Sequence, residues 1–163
     1  MRTAICPGSF DPITLGHLNI IRRAAGIFDQ VVVCVTFNSS KTSPMFTDEE
    51  KLEMVRKAVA KYPNVTVDHC DTLLAEFVKK YEGAVLVKGL RAASDYDYEF
   101  QMDLVNKRIN SELETVFLTA DQKYTFLSSS IVREMARYGA DLHGLVPDEL
   151  IEFIEEKAKM RRE

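Results

Sequence analysis

The sequence predicts an α/β fold, a single domain built on an open parallel sheet with helices on both faces. Short apolar, β-branched runs recur at Thr3 to Cys6, Val31 to Thr36, Val65 to His69, Ala84 to Lys88 and Thr115 to Leu118, with longer stretches of helical periodicity between them. Most of these runs are continuously apolar where a half-buried strand would alternate, so both faces of the sheet are expected to be covered, as in parallel sheets. The chain has 163 residues, 46% of them hydrophobic and 28% charged, which is enough for one core. No repeat, low-complexity tract or linker divides it, so one domain is expected over residues 1–163.

The elements follow in order. The first strand runs into PGSFDPITLGH, Pro7 to His17, in which Gly8 permits close backbone approach and Asp11 and Pro12 fix a turn. Gly16 and His17 then open a helix with Leu18, Ile21, Ala24, Ala25 and Phe28 as its apolar positions. After the second strand the polar loop NSSKTSPMFT, Asn38 to Thr47, ends in a capping box, Thr47 with Glu50, that starts a helix reaching Lys61. Thr72 is expected to head a helix from Leu73 to Tyr81, and Ser94 one from Asp95 to about Asn110. In FLSSSIVREMARYG the serines mark a helix start and Gly139 a stop. Pro147 suits the first turn of a last helix, about 147–161, with Leu150, Ile151, Ile154 and Ala158 on one face.

Composition excludes several roles. The longest apolar runs, such as Val31 to Val35, are far too short to span a bilayer, and no basic region with an apolar secretory core opens the chain, so a cytoplasmic protein without a membrane partner is expected. Cys6, Cys34 and Cys70 form no CxxC pair and lie in or beside strand-like runs, as buried thiols do; neither a disulfide nor a structural zinc is expected. A formal charge of -4 argues against a nucleic-acid partner, so an anionic ligand must find a local site.

In an open α/β sheet that site lies at the carboxyl ends of the strands, which gives weight to the loops Pro7 to His17, Phe37 to Phe46, Cys70 to Leu74, Gly89 to Ser94 and Thr119 to Ser130. Neither GxGxxG nor GxxxxGK occurs there. His17 sits instead at a helix start, where unpaired N–H groups favour an anion; a packing or capping histidine is the plainer alternative. Thr14 to His17 spell T-x-G-H, which is similar to the (H/T)xGH signature of the nucleotidylyltransferase superfamily. At Ser128, Ser129 and Ser130 one hydroxyl suffices for a cap, and three offer donors to phosphate oxygens, with a plain serine-rich loop as the alternative. In VKGLRAASDYDYEFQM, Val87 to Met102, Lys88 and Arg91 flank Gly89, and the arginine fork suits phosphate. Asp95, Asp97 and Glu99 read as favourable charges in the first turns of a helix, and Tyr98 and Phe100 as packing residues. Lys41 lies in a polar loop at the same sheet edge as His17, within reach of the same phosphate.

Together PGSFDPITLGH, the SSK and PMFT loop, VKGLRAASDYDYE and FLSSSIVRE resemble the bacterial-type phosphopantetheine adenylyltransferase family over nearly the whole chain. The resemblance implies a Rossmann-like fold, ATP and 4'-phosphopantetheine as substrates, magnesium, and dephospho-coenzyme A and pyrophosphate as products. It further implies a homohexamer inhibited by coenzyme A. Carried over position by position, it implies that Ser9 and Phe10 contact ATP, with Ser9 also near the acceptor, and that His17 steadies the transition state. It implies that Lys41, Leu74, Lys88 and Asn106 bind the acceptor, that Lys41 also acts in catalysis, and that Gly89, Leu90, Arg91, Glu99 and Tyr124, Thr125, Phe126, Leu127, Ser128, Ser129 and Ser130 contact the nucleotide. No protein metal ligand is implied. Lys88 stands where relatives commonly carry Arg, a point charge in place of a fork, and Ser9 where Thr is frequent.

The reaction expected is in-line attack of the acceptor phosphate on the α-phosphorus of ATP, with no covalent enzyme intermediate. The attacking group is already anionic, so bringing two polyanions together is the difficulty and cations matter more than a base. The rival readings are another small adenylyl- or cytidylyltransferase and a noncatalytic nucleotide-sensing module.

Overall fold

The computed structural model describes residues 1–37 and 43–161. Its elements run β1 (Thr3–Gly8), α1 (Leu15–Ile27), β2 (Gln30–Thr36), α2 (Asp48–Val59), β3 (Val65–Cys70), α3 (Leu74–Phe77), β4 (Val85–Leu90), α4 (Ala93–Ile109), β5 (Thr115–Thr119), α5 (Ser129–Arg137) and α6 (Ile151–Met160). The strands form one parallel sheet in the order β3-β2-β1-β4-β5. The chain therefore builds outward from β1 on one side, then returns to place β4 on the other. The crevice between β1 and β4 is the switch point at which such sheets hold ligands.

Strand side chains alternate between two cores. Ala4, Cys6, Val31, Val33, Val35 and Val87 face α1, α2, α5 and α6, where Ile21, Val55, Val132 and Ile154 complete the larger cluster. Ile5, Val32, Cys34 and Leu86 face the other way, against Phe77 and Val78. Each face is covered, which is why the strands read as unbroken apolar runs. Cys6, Cys34 and Cys70 are buried free thiols, and burial pushes the Cys6 thiol up to about 12.

All five expected strands form; four are extended by a residue or two, and β4 is shifted from the expected 84–88 to Val85–Leu90. Thr47 and Glu50 make the expected capping box, and the Glu50 carboxylate also accepts from Lys157 Nζ at 2.8 Å, tying α2 to α6. Burial, which would raise the Glu50 carboxyl, is outweighed by these bonds and it lies below its usual range. Gly139, at φ 69°, follows the end of α5 as expected.

Four expectations need correction. Thr72 does not cap the third helix: Leu73 holds the cap position without a side-chain bond, and the helix is one α turn, Leu74–Phe77, tightening into a 3-10 turn at Val78–Lys80. Ser94 does not cap the fourth; Ala92 does, because the Asp95 carboxylate reaches back to the N–H groups of Arg91 (2.9 Å) and Ala92 (3.3 Å) and replaces a capping hydroxyl. The last helix begins later than 147: Pro147 precedes a 3-10 turn at Asp148–Leu150, and α6 follows. Tyr98 and Phe100 do not pack into the core, but stand exposed on α4 with Tyr96, Leu104 and Val105.

No helix among the described residues is long and apolar enough to cross a membrane.

Candidate active site

A cleft of about 590 Å³ opens over β1 and β4, lined by the first loop, the start of α1, the end of β4, α4 and the start of α5. Its geometry begins with T-x-G-H. Thr14 is the N-cap of α1: its Oγ1 accepts the His17 N–H at 3.3 Å, and its own N–H donates to His17 Nδ1 at 3.0 Å. Histidine thus fills the place of the glutamate in a capping box. Because Nδ1 is the acceptor there, the neutral ring carries its proton on Nε2, which fixes which nitrogen can donate. The plain capping reading and the phosphate reading of His17 are therefore compatible: one ring nitrogen caps and the other is the donor.

The ring is set by Phe10, whose edge meets the imidazole with centroids 5.1 Å apart and planes at 72°. Phe10 adopts φ 47°, in the left-handed region that costs a non-glycine residue on the order of 1 kcal/mol. That cost is sustained by burial, since the ring is only 3% exposed. A Cβ on Gly8 would come within 2.9 Å of the same ring, so the glycine makes room for the phenylalanine. At Gly89 a Cβ would meet Ile20 at 2.9 Å; that glycine lets α1 approach β4.

At the start of α5 each serine has a separate task. Ser128 Oγ accepts the Ile131 N–H at 3.2 Å, Ser129 Oγ donates to the Pro12 carbonyl at 2.7 Å, and Ser130 Oγ accepts from Arg133 at 3.1 Å. Ser128 and Ser129 face the cleft, while Ser130 does not line it. An accepting hydroxyl keeps its own proton, so Ser128 remains a donor toward the cleft. The helix start is thereby fastened to the first loop, and the imidazole and the serine run share one cavity.

A buried carboxylate makes the third junction. Asp11, 2% exposed, accepts the N–H groups of Met45 (3.0 Å) and Phe46 (2.9 Å), and lies 3.7 Å from Arg133, whose guanidinium also donates to the Asp11 carbonyl at 2.8 Å. Sequence reading placed Asp11 only in a turn and gave Arg133 no role, because its partners lie 34 and 122 residues away. Lys41 itself lies outside the described residues.

Lys88 and Arg91 both line the cleft, each beside a carboxylate of α4. Lys88 Nζ donates to Glu99 at 2.6 Å, and the Arg91 Nε lies 3.8 Å from Asp95. The Arg91 fork also donates to the Leu127 carbonyl at 3.0 Å, joining the end of β4 to the approach to α5.

Of the residues named from sequence, the cleft gathers Ser9, Phe10, His17, Leu74, Lys88, Gly89, Arg91, Glu99, Tyr124, Leu127, Ser128 and Ser129. Leu90, Thr125, Phe126 and Asn106 do not line it. Thr125 Oγ1 is turned to the Gln122 carbonyl at 2.9 Å, Phe126 is exposed, and Asn106 is buried within α4. Tyr98 and Asp121 line the cleft although sequence reading did not select them for it.

Fold and cleft define a class, and the cytidylyltransferase-like family model matches residues 5–135. A solved structure described as a putative nicotinate-nucleotide adenylyltransferase from Vibrio parahaemolyticus superposes with a TM-score of 0.74 at 17% identity, covering 99% of this chain and 96% of that one; it shares the Rossmann-like fold. Closer in sequence are proteins named phosphopantetheine adenylyltransferase. The one from Dictyoglomus turgidum is 50% identical over 161 residues, covering 99% of this chain and all of its own length. The one from Caldanaerobacter subterraneus is 48% identical over 159 residues, 98% of this chain and 99% of its own, and the one from Moorella thermoacetica 51% identical over 150, 92% and 93%. The chain belongs to the phosphopantetheine adenylyltransferase family.

Proposed function

We propose that this chain transfers AMP from ATP to 4'-phosphopantetheine, giving dephospho-coenzyme A and pyrophosphate. The observation that carries this reading is one cleft at the β1/β4 switch point that brings together the His17 ring, Lys88, Arg91 and the start of α5, in a chain about half identical end to end to enzymes of that name.

The residues divide the work by charge and position. The acceptor phosphate attacks the α-phosphorus in line, and pyrophosphate leaves from the opposite side. His17, its tautomer set by Thr14, donates from Nε2 to an α-phosphate oxygen as charge builds there. Arg91 and the Ser128 hydroxyl bind the departing side; Lys88 and Lys41 hold the acceptor phosphate, with Leu74 and Ser9 beside it. Asn106, buried in α4 outside the cleft, is given no part in holding the acceptor. Magnesium carried on the triphosphate would supply charge screening beside the cations of the cleft.

We also propose a homohexamer. Exposed Tyr96, Phe100, Leu104 and Val105 on α4 support self-association, being an apolar face that a lone subunit leaves in water. Coenzyme A, which contains the acceptor, would inhibit by occupying its subsite. Cytoplasm is the proposed location, and buried free thiols suit a reducing compartment.

The test is acceptor-dependent pyrophosphate release with ATP and magnesium. Release is expected with 4'-phosphopantetheine and not with nicotinamide mononucleotide or glycerol 3-phosphate. Turnover of either alternative at a comparable rate would overturn the reading.

A further inference from the structure

We infer that Lys157, on the last helix, is a positioning residue for the reaction: through Glu50 it fixes the segment that follows Lys41, and so the region in which the Lys41 charge can act. This rests on the reading above that Lys41 holds the acceptor phosphate. Four consecutive residues, Pro44 to Thr47, are each bonded to another element. The Pro44 carbonyl accepts from Arg161, just past α6. The Met45 and Phe46 N–H groups donate to Asp11, in the loop before α1. The Thr47 N–H donates to Glu50 at 2.8 Å, and the same carboxylate accepts from Lys157 Nζ at 2.8 and 2.9 Å. Phe46 also sets its ring 5.7 Å from that of Phe153 on α6.

Starting a helix needs less than this. The capping box of Thr47 and Glu50 is complete without a cation. Lys157 adds a third element to it from 107 residues away, holding α6 against the start of α2. Its side chain is 19% exposed and that of Glu50 26%, so the contact is a charge-assisted bond between partly shielded groups and not a screened surface pair.

Chain length says what such a brace controls. Lys41 precedes Pro44 by three residues, which span at most about 11 Å. An ammonium on a four-carbon stem is a point charge with no direction of its own, so the backbone that bears it decides which phosphate it serves. Fixing Pro44 to Thr47 bounds that backbone before substrate arrives, the preorganisation that transfer between two polyanions requires. Glu50, Phe153, Lys157 and Arg161 do not line the cleft, so α6 acts by position and not by contact with substrate.

The experiment measures kcat/KM for 4'-phosphopantetheine, by pyrophosphate release at saturating ATP, in Lys157→Met, Glu50→Gln, Lys41→Ala and each of the first two combined with the third; melting temperatures check folding. Methionine keeps most of the lysine stem and its packing while removing the charge. Glutamine keeps an acceptor for the Thr47 N–H, hence the capping box, without the carboxylate charge. Each of these two substitutions is expected to lower kcat/KM about tenfold, the scale of one lost charge-assisted bond. In the Lys41→Ala background either should cost no more than about twofold, because a brace that acts through Lys41 then has nothing left to place. A tie between α2 and α6 that serves stability alone predicts a lower melting temperature with the same kinetic loss in both backgrounds. That result, or kcat/KM within about twofold of the parent in the folded single variants, overturns the inference. If Lys41→Ala keeps the parent's kcat/KM, Lys41 does not hold the acceptor, and the inference falls with that placement. A parent that releases no pyrophosphate with 4'-phosphopantetheine defeats the proposed function itself, a failure distinct from the others.

Discussion

His17→Ala is expected to lower turnover by about a hundredfold or more, the cost of removing one preorganised donor to a developing anionic centre. KM for ATP should change far less, because the donor acts mainly as charge builds in the transition state. The substitution also removes half of a capping box, since the Thr14 N–H loses its acceptor, and about 1 kcal/mol of stability should go with it. His17→Gln separates the two effects. Glutamine at this helix position can accept the Thr14 N–H as histidine does, so the melting temperature should recover while turnover stays low. A purified His17→Ala protein with near-normal turnover, or a glutamine variant that regains activity, would remove the imidazole from the chemistry.

Asp11→Ala should have the largest effect on stability. It strips the acceptor from the Met45 and Phe46 N–H groups and leaves the Arg133 guanidinium beside a cavity. Removing one side of a buried, hydrogen-bonded charge pair costs about 3 kcal/mol, which for a chain of this size lowers the melting temperature by roughly 10 °C. Activity should fall as well, because the same carboxylate ties the segment after Lys41 to the loop that ends in His17. A variant melting within about 2 °C of the parent would show that Asp11 does not fasten these loops.

What the sequence made legible follows from the range of the interactions. Unbroken apolar runs announced a sheet covered on both faces, and the two core clusters bear this out in Val31 to Val35, which alternate between them. The Thr47 and Glu50 box was readable because its partners are three residues apart. The cap of α4 was misread at Ser94, because a preference for hydroxyls at helix starts cannot anticipate a carboxylate reaching back from within the helix. Asp11 with Arg133, and Ser129 with Pro12, were invisible for a different reason: local pattern carries no information on contacts 122 and 117 residues apart. The exposed aromatics of α4 were misjudged because an apolar side chain in a helix ordinarily packs within its own chain.

The same distinction applies to the site. Twelve residues that meet in the cleft were named by motif, Tyr98 and Asp121 were not, and the reason T-x-G-H ends in histidine emerges only from geometry: threonine caps the helix, and the histidine returns the bond through Nδ1. Lys88 looked like a weakened copy of an arginine. Beside Glu99 it is half of an oriented pair.

The central claim is that one cleft holds ATP and the phosphorylated acceptor together, so that transfer is direct. Initial rates with both substrates varied, combined with exchange of labelled pyrophosphate into ATP, test it most directly. Intersecting double-reciprocal lines, with no exchange until the acceptor or its product is present, are expected. Parallel lines, with exchange in the absence of both, would mean that the enzyme itself is adenylylated, and would contradict the account.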